Sequence, residues 1–87
     1  MAKEQAPTTS ATVRHVMCSA GFKTGVSDAR AKRQPRFDHS GFEPFSYERG
    51  RQWAAIAPAD MPVMKGGRLN ASAEWLFRKA YALGDIL

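Results

Sequence analysis

Cysteine is almost missing from this 87-residue chain: Cys18 stands alone. A disulfide scaffold of the secreted kind is therefore excluded, and a reducing interior is the simplest setting. Acidic residues are also scarce, 8 Asp and Glu against 13 Lys and Arg, for a net charge of +5. That balance excludes an acidic DNA mimic and favours acidic partners, chiefly nucleic acid or a nucleoprotein. Long apolar runs are lacking as well. The longest, Trp53-Ala54-Ala55-Ile56-Ala57, stops at Pro58 and is far too short to cross a bilayer. The segment from Met1 to Ser10 has no apolar core of the kind a signal peptide needs. A soluble, cytoplasmic protein without membrane contact is the expectation. With 7 glycines and 5 prolines, the chain is not composed like a wholly disordered one.

Catalytic patterns are missing too. The sequence contains no phosphate-binding glycine loop, nucleophile elbow or paired carboxylates. His15 and Cys18 are three residues apart, but a structural zinc site normally draws on two such close pairs, and only one is present. No enzyme activity, cofactor or metal is expected, with the thiol buried and the imidazoles exposed. The length leaves room for a single small domain, whose core is marginal at this size.

What is present is helical periodicity. Residues 1–12 are small, polar and Pro-containing and read as a flexible tail, leaving residues 13–87 as one small helical domain. Val13, Val16, Met17 and Ala20, then Phe22, Val26 and Ala29, fall at spacings of three and four, which predicts a first helix over about 13–32. Gly21 and Gly25 weaken it, so a start near Ser19, a good N-cap, is the alternative; their four-residue spacing suggests a face where another backbone comes close. Residues 34–45 hold two prolines and three phenylalanines and read as a loop. Ser46 is the expected cap of a second helix that carries Tyr47, Gly50, Trp53 and Ala54 and ends at Pro58. After a connector over 58–67, in which Gly66-Gly67 is a flexible link, Asn70 caps a third helix with Ala73, Leu76, Phe77, Ala80 and Leu83 as its apolar stripe. Gly84 is its C′ residue, and Ile86 folds back in a Schellman ending. The fold class expected is all-α, three helices with long loops.

Two segments share the pattern aromatic-x-x-Gly-x-x-x-Ala: Phe22, Gly25 and Ala29 in the first helix, and Tyr47, Gly50 and Ala54 in the second. Each places a ring beside a glycine notch on one helical face. Such faces suit ring-into-notch packing, either as a purely structural crossing within the chain or as a self-association surface. The pair of helices, joined by a Pro-containing aromatic loop, resembles the ribosome modulation factor family and its phage- and plasmid-borne relatives over about residues 20–57. The matching residues are Phe22, Gly25, Tyr47, Gly50 and Trp53. The resemblance implies a small basic cytoplasmic protein that binds ribosomal RNA of the small subunit. The N-terminal tail and the third helix depart from that family.

The positive charge is local, with a net +4 over residues 13–38. Arg30, Lys32, Arg33 and Arg36 crowd the end of the first helix, where cations also suit the helix dipole. Guanidinium groups can hold phosphate through two hydrogen bonds and stack on bases. Phe37, Phe42, Phe45 and Tyr47 follow, suited to stacking on unpaired bases. With Lys23, Arg49 and Arg51 these form the candidate nucleic-acid-binding set. The plainer alternatives are a solvated helix end for the cations and core cover for the rings. The leading expectation is a small RNA- or ribosome-binding modulator that occludes a nucleoprotein site. The alternative is a phage or mobile-element inhibitor of a host protein complex, anti-CRISPR-like or a host-takeover factor. For that role Trp75, Arg78 and Tyr81, at spacings of three, supply a protein-interface face.

Overall fold

A computed structural model describes residues 10–35 and 43–86. Among these, the chain forms four helices and one small hairpin: α1 (Ser10–Met17), α2 (Ala20–Arg30), α3 (Pro44–Ile56), β1 (Met64–Lys65), β2 (Arg68–Leu69) and α4 (Ala71–Leu83). The fold is mostly helical, but three helices is an undercount. The expected first helix is two. Ser19 breaks it: its hydroxyl donates to the Val16 carbonyl at 2.7 Å and accepts from the Phe22 amide at 3.1 Å. One side chain thus closes α1 and caps α2. Helix α1 also takes in residues 10–12, which the sequence assigned to the tail.

The cap of α3 is Glu43, three residues before the expected Ser46. Its carboxylate accepts from the amides of Phe45 (2.7 Å) and Ser46 (2.9 Å) and from the Ser46 hydroxyl (2.9 Å). Pro44 occupies the first helical position, where a missing N–H costs nothing and a fixed φ is already helical. Phe45 is consequently a first-turn residue of α3 and not part of a loop. The Gly66-Gly67 link is also more ordered than a flexible connector. Both residues have positive φ, 62° and 77°, between strands paired Met64 to Leu69 and Lys65 to Arg68. This is the two-residue hairpin loop whose backbone demands glycine-like residues.

Helix α4 ends as its sequence requires. The Asn70 side chain accepts from the Ser72 amide, Gly84 is left-handed, and the Asp85 amide reaches back to the Ala80 carbonyl at 2.8 Å. Ile86 is buried against the core, although Leu83, expected on the apolar stripe, is exposed. A second ending of this kind closes α2, with bonds from Arg33 N to Asp28 O and from Lys32 N to Ala29 O. Here the left-handed position is held by Lys32, at φ 59°.

The centre of the domain is the crossing of α2 and α3. A methyl added at Gly25 would overlap the Tyr47 carbonyl oxygen, and one added at Gly50 would overlap the carbonyl oxygen of Phe22. Each notch thus receives the partner helix's backbone, the close approach that the spacing of Gly21 and Gly25 suggested, and not the partner's ring. The rings point onward. Phe22 packs at 5.9 Å from both Trp53 and Phe77, and the Trp53 indole donates to the Ala73 carbonyl at 3.2 Å. Val13, Val16 and Met17 from α1, Val63 from the connector, and Ala73, Phe77 and Ala80 from α4 complete this core. Tyr47, expected among the rings open to stacking, is instead fully buried and donates its hydroxyl to Asp28 at 2.8 Å.

Candidate nucleic-acid interface

The cations expected to act together have different fates. Lys23 is exposed on α2. Arg30, one of its last residues, turns inward: a terminal amine donates to the carbonyls of Pro58 (3.0 Å) and Met61 (2.7 Å), and its guanidinium lies 5.4 Å from the Trp53 ring. It is a strut that fastens the 58–61 turn to the end of α2. Lys32 and Arg33 remain exposed beyond it. The Arg33 Nε donates to buried Asp28 at 3.1 Å, while about half of the side chain stays open to solvent. Arg36, Phe37 and Phe42 lie outside the described residues. Arg51 is half-buried, 6.0 Å from the Tyr47 ring, with one terminal amine buried and unpartnered among the described residues.

A tighter grouping forms where α3 meets α4. Phe45 and Arg49 are one turn apart, and the Arg49 guanidinium lies 3.9 Å from the centre of the Phe45 ring. Phe45 keeps 39% of its surface exposed. The Nε of Arg49 is buried without a hydrogen-bond partner among the described residues. Burial pushes the Arg49 pKa below the ordinary arginine value, opposed by Tyr81, Glu48 and Glu43 nearby. An arginine stays protonated in proteins, so the guanidinium keeps its charge. Tyr81 itself stacks on Phe77, nearly parallel at 6.4 Å. Rings thus run from Trp53 through Phe22 and Phe77 to Tyr81.

Among family models, curated proteins and solved structures, nothing matches this chain. What its surface can do is therefore read from its own chemistry. A planar guanidinium lying on an aromatic ring offers donors at its edge for phosphate and a flat face for a base.

The three residues expected as a protein interface all lie on α4 but have different neighbours. Tyr81 stacks on Phe77. Arg78 is paired with Glu74 at 3.4 Å along α4. Trp75 is 61% exposed, with the Lys79 ammonium 5.4 Å from its ring, and lines a groove of about 500 Å³ with Ile56, Pro58, Met61 and Leu76. Sequence reasoning missed Ile56, Pro58 and Met61 because they reach Trp75 only through the turn that Arg30 fastens. Cys18 is exposed, where a buried thiol was expected. No helix among the described residues is long and apolar enough to cross a membrane.

Proposed function

We propose that this protein is a small basic RNA-binding module that docks on a ribosome or another nucleoprotein and acts by occluding a site there. The observation that carries the reading is the Arg49 guanidinium laid on exposed Phe45 beside Tyr81. An unpaired base would stack on this platform while the cations of Lys32 and Arg33 attract the backbone. The net charge of +5 supplies long-range attraction to a polyanion. Phe22, Gly25, Tyr47, Gly50 and Trp53, which carry the resemblance to the ribosome modulation factor family, are all buried. Their likeness therefore speaks for the α2–α3 packing unit, and the RNA reading stands on the surface residues. Co-sedimentation with ribosomal subunits at low salt, lost on raising the salt, is the expected result. Absence of association at low salt would contradict the ribosomal target.

A second reading, an inhibitor that binds a host protein complex, is favoured by one observation: the exposed Trp75 beside an apolar groove. Tryptophan at the rim of a pocket is a common anchor of protein interfaces. A pull-down separates the two readings, since a nuclease-sensitive RNA partner supports the first and a nuclease-resistant protein partner the second. Self-association through the glycine notches has lost its surface, because Gly25 and Gly50 are filled from within the chain.

A further inference from the structure

A second cationic surface lies away from Phe45 and Arg49. It is a cleft of about 560 Å³ between α1, the hairpin and α4, and Arg14, Arg68, Met64, Leu69 and Glu74 contribute to its walls. Arg14 is 63% exposed and stands 3.6 Å from the Glu74 carboxylate, which is only 16% exposed and also pairs with Arg78 at 3.4 Å. Glu74 therefore orients two guanidinium groups with a single negative charge. Arg68 is exposed and makes no ion pair among the described residues. Its cross-strand neighbour is Lys65, so two cations stand opposite each other at the hairpin tip. With Arg14 and Arg68 against Glu74 in the walls, and Lys65 paired to Arg68 across the hairpin, the local balance is positive.

The tip between those cations has no side chains. Gly66 and Gly67 face open space where a Cβ would stand. A glycine backbone can approach a ligand closely, and a cleft whose cations outnumber its single carboxylate attracts an anion. The sequence had presented Gly66-Gly67 as a plain link before Arg68. In the fold they form the bare tip of a basic finger beside a cleft.

We infer that this cleft holds backbone phosphates of the bound RNA, with Arg14 and Arg68 as the phosphate ligands and the Lys65-Gly66-Gly67-Arg68 hairpin tip lying along the strand. The inference rests on the RNA-binding reading above and adds a second contact to it. Two separated contacts on one strand would fix the direction in which the RNA crosses the protein, which a single stacking platform does not.

The test is a fluorescence-anisotropy titration of a labelled single-stranded RNA of about 20 nucleotides, repeated over a series of KCl concentrations. The proteins are wild type, Arg14→Gln/Arg68→Gln, Arg68→Gln alone and Phe45→Ala. Each phosphate contact on a single strand contributes about 0.7 to the slope of log affinity against log salt. The double variant should therefore lose about 1.4 of that slope and bind roughly tenfold or more weakly near 0.1 M salt, and Arg68→Gln about half of the slope change. Far-UV circular dichroism melts confirm that the variants fold, and Arg68→Gln, which breaks no ion pair among the described residues, keeps the test open if the double variant does not. An unchanged slope and affinity in both arginine variants, with binding weakened in Phe45→Ala, would overturn the cleft while leaving the RNA reading intact. No RNA binding by wild type would remove both. Displacement of the RNA by inorganic phosphate beyond the effect of chloride at equal ionic strength would make the cleft a site for small anions and overturn its assignment to RNA.

Discussion

Replacing Gly50 by alanine sets two physical effects against each other with opposite signs. In an exposed helix interior the change stabilises by about 1 kcal/mol, because alanine is the better helix former. At this position the new methyl group meets the carbonyl oxygen, carbonyl carbon and Cα of Phe22. All three are backbone atoms of α2, so no rotamer change can clear the space. Relief requires α2 to move away from α3. That movement loosens Phe22, Tyr47 and Trp53, each fully buried, along with the Tyr47 to Asp28 hydrogen bond. Overpacking of a core costs typically 1–3 kcal/mol, and the rigid neighbour places this case near the upper end, about 3 kcal/mol. Less the helical gain, the net loss is about 2 kcal/mol. For a domain of this size that corresponds to a fall in Tm of roughly 8–16 °C. Thermal melts of wild type and Gly50→Ala followed by far-UV circular dichroism measure it. A Tm that is unchanged or raised would show that α2 and α3 do not cross at this notch.

Other consequences follow from the caps. Lys32 holds a left-handed conformation at φ 59° that glycine adopts without strain, so Lys32→Gly should raise stability by about 1 kcal/mol in urea unfolding. An unchanged or lower stability would contradict this reading of the α2 ending. Burial pushes the Glu43 pKa up, but the amide and hydroxyl of Ser46, the Phe45 amide and the nearby Arg49 outweigh it and hold the carboxyl below its ordinary 4.5. A carboxyl whose pKa is depressed in the folded state stabilises fully above its unfolded pKa and loses that contribution as pH falls through the folded value. The stability advantage of wild type over Glu43→Gln should therefore be present at pH 7 and shrink as pH drops below about 4.5, as followed by denaturant unfolding across the pH series. An advantage that stays constant with pH would contradict the capping role.

The features legible in the sequence are those with a local chemical signature. Asn70 and Gly84 mark the ends of α4 because a side-chain acceptor and a left-handed backbone each demand particular residue types. Ser19 carried the same kind of signal, and the structure makes it the break between α1 and α2. Glu43 was passed over because glutamate is an uncommon N-cap, although Pro44 beside it was the telling residue. The hairpin escaped because two-residue strands have no room for an alternating pattern; only the Gly-Gly pair announced it. Arginines are the hardest to read. Arg30 and Arg49 look alike in the chain, yet one is fastened to the Pro58 and Met61 carbonyls and the other lies on an exposed ring. The partners of Arg30 lie 28 and 31 residues along the chain, which no local spacing encodes, whereas Arg49 meets Phe45 one helical turn away once α3 begins at Pro44.

The platform at Phe45 is tested most directly by measuring the affinity of Phe45→Ala and wild type for single-stranded RNA at low salt, with Tm as a control. Base stacking on an aromatic ring contributes about 1–3 kcal/mol by alanine substitution, so the variant should bind roughly 5- to 150-fold more weakly. Because Phe45 is 39% exposed in the first turn of α3, its removal should change Tm little. Equal affinities, or no binding by either protein, would contradict the assignment of this surface to RNA.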